Sequence, residues 1–532
     1  MKEKLQKQIK EALIKMNIDK SDILVEIPKD KNNGDYSTNV AMQLAGVLKK
    51  SPRDIAEEIK NNIISDDINN IEIAGPGFLN FYVKNDYLFD NINKILEKED
   101  EYGKSNIGAN TKINIEYVSA NPTGFLHIGH ARGAAYGDAL SRILKFAGYD
   151  VDREYYINDA GNQINNLEKS IIVRYHNLCG IEEELPDDGY HGEDIKEVAK
   201  NIYDEYKADA PSNIFKKKGV EFLLNKIKKD LNDFRVGFDI WTSETSLYEN
   251  KEVENALNKL IKDGYTYEKD NALFLKTSMY NDEKDRVLVK SDNNNTYLLP
   301  DIAYHINKYK RGYDKLIDVL GADHHGYIDR LKASIKMMGE DPDKLEVKIL
   351  QMVRLIKNGE EIKMSKRTGK TLTINDLIEE VGVDAARYFF ATRSLDSQLD
   401  FDIELAKQKS NENPVYYVSY AHARICSILR EYKNDIKPRN YSTIISQPAI
   451  NLITKVYEFE DVVKSSALKE APHLITNYVY ELAHLFHTFY ANEKVLSDDI
   501  EYTADRINLV KAVKITIKNA LELIGVKAPE KM

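Results

Sequence analysis

The sequence predicts a multidomain α/β protein: a parallel-sheet nucleotide-binding domain interrupted by an insertion, preceded by an α+β domain and followed by an all-α helical bundle. Three observations predict it. Residues 113–133, INIEYVSANPTGFLHIGHARG, read as a strand, a glycine-containing turn and a helix, the opening of a crossover of Rossmann type. Two later runs, LIDVLGAD (316–323) and VKILQMVRLI (347–356), are apolar segments suited to buried strands. From Ala406 onward the pattern is mostly helical.

Taken in order, residues 1–17 form a helix with Leu5, Ile9, Leu13 and Ile14 on one face. SPRDIAEEIKNNI (51–63) is a second helix, with Ser51 as its cap and Pro52 in its first turn. IEIAGPGFLNFYV (71–83) alternates around Gly75-Pro76-Gly77 and reads as strand, turn, strand. These elements make an α+β domain over 1–105. The nucleotide-binding domain spans 106–370, with a charged, largely helical insertion over about 161–290. VKILQMVRLI reads as one buried strand, with the side chains of Met352 and Val353 inside it. Residues 371–405 open on a capped helix, TINDLIEEVGVDAARYFFATR, and link to a helical domain over 406–532.

Length and composition fit this division. The 532 residues suffice for three or more domains, and 42% hydrophobic with 30% charged residues is ordinary for a soluble globular chain. Two distant cysteines suggest neither a disulfide framework nor a zinc ribbon and fit a reducing cytoplasm. The charged, amphipathic start is not a signal peptide, and no apolar run approaches membrane-spanning length. With a net charge of −11, any contact with RNA must come from local basic patches.

The chemistry concentrates in two places. A helix beginning near Ile128 presents unpaired backbone N–H groups and a partial positive charge, which attract phosphate. Gly129 lets a base or ribose approach the backbone, and His127 and His130 lie three apart on one side of the first turn. Their spacing is not that of a helical zinc pair, and no third ligand is near in sequence, so no metal site is expected. The second place is GEEIKMSKRTG (359–369), a cationic loop closed by Gly369 whose Lys363, Lys366 and Arg367 could fold over a triphosphate. LIDVLGAD ends in Gly321 and Asp323, where a sugar could approach the glycine and ribose hydroxyls could meet the carboxylate. Tyr297 and Asp301 are four apart and would share a face if the segment is helical past Pro300. Tyr416, Tyr420 and Arg424 also repeat every four residues, giving either bundle packing or a surface for unpaired bases.

HIGH (127–130) followed by KMSK (363–366) is the signature of class I aminoacyl-tRNA synthetases. With EYVSANPTGFLHIGHARG, YYINDAGNQI, TYLLPDIAYH, GADHHGY and DAARYFF, the chain resembles arginyl-tRNA synthetases of the bacterial type over almost its whole length. That resemblance implies ATP-dependent ligation of L-arginine to tRNA(Arg), with Mg²⁺ accompanying the nucleotide, in a cytoplasmic monomer with no membrane contact. It implies catalytic roles for His127, His130, Lys363 and Lys366. ATP would be bound by Gly129, Gly321, Asp323, Met352, Val353, Lys363, Ser365 and Lys366. Arginine would be held by Glu116, Ser119, Asn121, His127, Tyr297, Asp301 and His325, the last standing where some relatives have Gln. The N-terminal domain would contact the tRNA elbow through Phe78 and Asn80, which otherwise read as a core aromatic and a turn cap. Tyr416, Tyr420 and Arg424 would face the anticodon. The insertion looks too short for an editing domain, and a guanidinium is distinctive enough to be selected without one. The family typically needs tRNA bound before it activates arginine, and the same is expected here.

Overall fold

The computed structural model describes residues 1–26, 28, 30, 33–362 and 372–532, and leaves the side chains of residues 85, 86, 323 and 325 undescribed. It divides into two compact units: residues 1–99, 428–457 and 488–515 form one, and the remaining residues the other.

In the first unit, the helices Lys2–Lys15, Val40–Leu48 and Pro52–Asn62 pack on an antiparallel sheet. Its strands lie in the order 36–38, 78–83, 68–74. Leu5, Ile9, Leu13, Ile55, Ile59, Leu79 and Phe81 fill the core. Ser51 Oγ accepts from Asp54 N and Pro52 occupies the first turn, as the sequence signals require. Ile14 departs from expectation. It is 56% exposed, because it is turned about 100° from Leu13 around the helix and misses the stripe that buries Leu5, Ile9 and Leu13.

The second unit is built on a five-stranded, wholly parallel sheet in the order 345–350, 315–321, 112–116, 150–157, 240–243. The strand that comes first in sequence, Lys112–Glu116, lies in the middle. The chain moves outward on one side to Ile240–Ser243, then returns to add Lys315–Gly321 on the other. Strand order therefore reverses between 112–116 and 315–321. A crevice opens at the carboxyl ends of parallel strands at such a point. The helix Ile128–Phe146 leaves the central strand there. Its small residues let it lie close: a Cβ on Gly137 would stand 2.2 Å from the ring of Tyr117, and one on Gly133 would stand 3.4 Å from Leu350 Cδ2.

Two sequence expectations need correction. The span 161–290, read as an insertion, does hold the helices Asn162–Leu178, Glu193–Tyr206 and Phe215–Asp233. It also supplies the edge strand Ile240–Ser243 of the central sheet, whose four half-buried residues carry no apolar run to betray them. VKILQMVRLI is not one strand. Leu345–Leu350 ends in the parallel sheet, and Val353–Lys357 begins a separate small sheet, parallel to Leu399–Asp402 and antiparallel to Glu360–Glu361. Met352, in the link, is 70% exposed rather than buried, while Val353 is buried. The link is held from the side: the buried guanidinium of Arg132 donates to Gln351 O at 2.8 Å, Ser394 O at 2.9 Å and Ser397 O at 2.8 Å. Further on, Thr373 and Asp376 form a reciprocal capping box at the start of Ile374–Val381. Gly382, at φ 82°, separates that helix from Val383–Phe390.

Candidate active site

Around the switch point lies a cavity of about 720 Å³, lined by both strand ends, by residues 118–121 after the central strand, and by the start of the helix Leu298–Lys310. Glu116 ends the central strand and is the register partner of Asp318 on the neighbouring strand, so the two carboxylates stand side by side. Lys308, fully buried, bonds both: it donates to Glu116 Oε2 and, at 2.8 Å, to Asp318 Oδ1. His305, one turn earlier, reaches Asp318 Oδ2 at 2.8 Å and the carbonyl oxygen of Asp301 at 2.7 Å. The Lys308 and His305 cations hold the Asp318 carboxyl well below the usual carboxylate range, against the opposing effect of its burial.

Above this floor, where Arg286 and Arg330 also line the wall, two carboxylates stand with raised pKa values. Asp301 accepts from the Tyr327 hydroxyl, yet burial pushes its carboxyl up to about 6. Burial, reinforced by the nearby Asp301 and Asp159 charges, pushes Glu244 up to about 7. Among the described residues neither carboxylate is ion-paired with a lysine or arginine. A cation entering the cavity would relieve both.

The backbone after the central strand bends sharply. Val118 and Ser119 adopt φ of 69° and 37°, a left-handed conformation that a β-branched residue such as valine rarely takes. The bend lets Ser119 Oγ donate to Glu116 Oε1 at 2.8 Å and accept from Tyr156 N at 3.0 Å. Asn121, half-buried, bonds Gln163 across the cavity mouth.

The phosphate end is the start of the helix Ile128–Phe146. His127 is its cap and accepts from Gly129 N at 3.2 Å, while His130 Nδ1 accepts from His127 N at 3.2 Å. An Nδ1 that accepts leaves the proton on Nε2, so each imidazole is set as a donor on its far edge. The rings stack at 3.7 Å between centroids. A Cβ on Gly129 would stand 3.1 Å from His127 Cε1, close enough that the imidazole would have to give by a few tenths of an ångström. Just past the second motif, Thr373 bridges to His127 and Ile374 N donates to Leu126 O at 2.9 Å.

The family models and the curated relatives agree on one family. The model described as "tRNA synthetases class I (R), catalytic domain" matches residues 91–407. The chain belongs to the arginyl-tRNA synthetases. The arginyl-tRNA synthetase N-terminal domain matches 3–83, and the DALR anticodon-binding domain matches 418–532. Over its full length this synthetase is 52% identical to the arginine–tRNA ligases of Anoxybacillus flavithermus and Bacillus pumilus, covering 99% of each. Its fold matches the Thermus thermophilus arginyl-tRNA synthetase at a TM-score of 0.79 and 20% identity, with 100% of both chains covered.

Of the residues singled out in the sequence of this synthetase, the structure gathers Glu116, Ser119, Asn121, Tyr297, Asp301 and Gly321 around one cavity. Tyr297 is the N-terminal cap residue of the helix that carries Asp301 and is 61% exposed, at the mouth. His127, Gly129 and His130 form the helix start. Lys363, Ser365 and Lys366 lie outside the described residues, as do the side chains of Asp323 and His325. Phe78 is 37% exposed rather than a core ring, whereas Asn80 is buried and accepts from Ser37 Oγ at 2.8 Å. Tyr416 and Tyr420 stack at 6.1 Å and 9°, with the Arg424 guanidinium 4.5 Å above the Tyr420 ring. Sequence reasoning missed Glu244, His305 and Tyr327 in the cavity wall, Lys308 beneath it, and Arg132 beside the Gln351–Met352 link. Only Lys308 left a local trace, a lysine in helical register with the apolar residues of TYLLPDIAYHINK.

Proposed function

We infer that the chain is an arginine–tRNA ligase: it activates L-arginine with ATP and transfers it to the 3′ end of tRNA(Arg), releasing AMP and pyrophosphate. The observation that carries this is the pair Asp301 and Glu244, two carboxylates raised by burial on one cavity wall. A guanidinium keeps its charge at every physiological pH and presents five donors, so it suits two such acceptors. Glu116, Ser119 and Asn121, on the bent segment, hold the amino-acid end, turning the arginine carboxylate toward the helix start. Tyr297 and His325 complete that pocket.

ATP lies along the helix start, with its phosphates at the backbone N–H groups and the Nε2 edges of His127 and His130. Gly129, Gly321, Asp323, Met352 and Val353 take the nucleoside. Arginine carboxylate attacks the α-phosphorus in line, forming arginyl-adenylate as pyrophosphate leaves. Lys363, Ser365 and Lys366 offset the charge on the departing pyrophosphate. The ribose hydroxyl at the tRNA 3′ end then attacks the arginyl carbonyl and AMP departs. When bound with the nucleotide, Mg²⁺ would rest on phosphate and water more than on side chains and would neutralise triphosphate charge. Phe78 meets the elbow, with Asn80, buried on the same strand and bonded to Ser37, supporting that strand rather than touching a base, and Tyr416, Tyr420 and Arg424 read the anticodon, within the proposed 1–105 and 406–532 domains. The enzyme acts as a cytoplasmic monomer.

Aminoacylation of total tRNA with each labelled amino acid tests the reading. Charging with arginine alone is expected; charging with another amino acid and not arginine overturns it. Pyrophosphate exchange dependent on arginine should require tRNA, and exchange at full rate without tRNA would refute that part.

A further inference from the structure

At the floor of the arginine pocket lies a charged cluster: Glu116, His305 and Asp318 line the cavity, and Lys308 sits beneath them, out of reach of a substrate. Lys308 is wholly buried, and its ammonium bonds carboxylates on two strands, Glu116 and Asp318. The third nearby carboxylate, Glu154, has other partners: Arg311 Nη2 at 2.7 Å, Thr242 Oγ1 at 2.6 Å and Asn114 Nδ2 at 2.7 Å. Lys308 therefore serves Glu116 and Asp318, with the Tyr304 ring 4.5 Å away on its own helix. Both nitrogens of His305 face acceptors, a carbonyl oxygen and a carboxylate. Each contact needs an N–H, so the ring is held as an imidazolium. Two cations thus sit under two anions, and the cluster is neutral as a whole.

We propose that Lys308, seconded by His305, is a positioning residue for arginine: it neutralises Glu116 and Asp318 from below and turns Glu116 so that Oε1, with Ser119, borders the pocket. The inference rests on the assignment of the pocket to arginine. Without Lys308, Glu116, Asp318 and Asp301 would share one low-dielectric region with too few cations, and protons would be taken up in place of substrate.

The test is steady-state aminoacylation by full-length Lys308→Met, Lys308→Arg and Asp318→Asn variants across pH. In Lys308→Met, KM for arginine is expected to rise at least about tenfold, with KM for ATP changed much less, as for a buried charge that has lost its partner. The acid limb of kcat/KM for arginine moves to higher pH, because a lost cation makes every neighbouring carboxylate easier to protonate. Lys308→Arg keeps the charge and restores the limb. Asp318→Asn removes an anion and moves the limb the opposite way, which supplies a test even if Lys308→Met does not fold. The proposal is overturned if arginine KM and the limb stay put in Lys308→Met, or if Asp318→Asn shifts the limb upward. Failure of the pocket assignment would look different: the wild-type enzyme itself would not charge tRNA with arginine.

Discussion

At the residue scale the proposed arginine pocket relies on Asp301 and Glu244, neither paired with a lysine or arginine among the described residues, and a pH dependence follows. Asp301 is raised to about 6 and Glu244 to about 7 in the free protein. Each is protonated below its value and ionised above it. Arginine stays cationic throughout, so kcat/KM for arginine should fall as pH drops from about 7 through about 6, while KM for ATP changes little over the same range. Asp301→Ala should cost about 2–5 kcal/mol of arginine binding, measured as KM for arginine against an unchanged KM for ATP. Asp301 was legible in the sequence because it stands in a long motif, TYLLPDIAYH. Glu244 was not. It follows a short strand far along the chain, and only the crossing of the sheet brings it to the same wall. Lys308 was passed over for a related reason. A lysine on a charged helix is ordinarily solvated, and nothing local shows that two strands place carboxylates over it.

Local stereochemistry governs how well the elements could be foreseen. Caps were legible because they act within four residues: Ser51 before Pro52, and Thr373 with Asp376, occur where the side-chain chemistry demands. The break at Gln351–Met352 was not, since it depends on Arg132 reaching across from another element to three carbonyl oxygens. The helix Ile128–Phe146 also carries a requirement that composition alone hides. Gly137 lies against Tyr117, and Gly137→Ala would place a methyl 2.2 Å from that ring. Either helix or strand must shift, so the variant should lose about 1–3 kcal/mol of stability, visible as a lower denaturation midpoint, and misalign the helix start with it.

On the scale of the whole molecule, a chain of net charge −11 must bind a polyanion. Long-range attraction opposes that association, so specific stacking and local cations have to supply the affinity. The stacked Tyr416–Tyr420–Arg424 row is the surface proposed for this. Tyr420→Ala should weaken tRNA binding by about 1–3 kcal/mol, the worth of one stacked base, seen as a raised KM for tRNA with arginine and ATP constants unmoved. The bend at Val118 and Ser119 has a consequence of the same reach. Left-handed valine costs on the order of 1–3 kcal/mol, and here that cost falls on the global folding equilibrium while its benefit falls on one bond angle of approach. Val118→Gly should therefore give a sturdier but slower protein, with a higher melting temperature and a lower kcat/KM for arginine. Selection at this turn has favoured aim over durability.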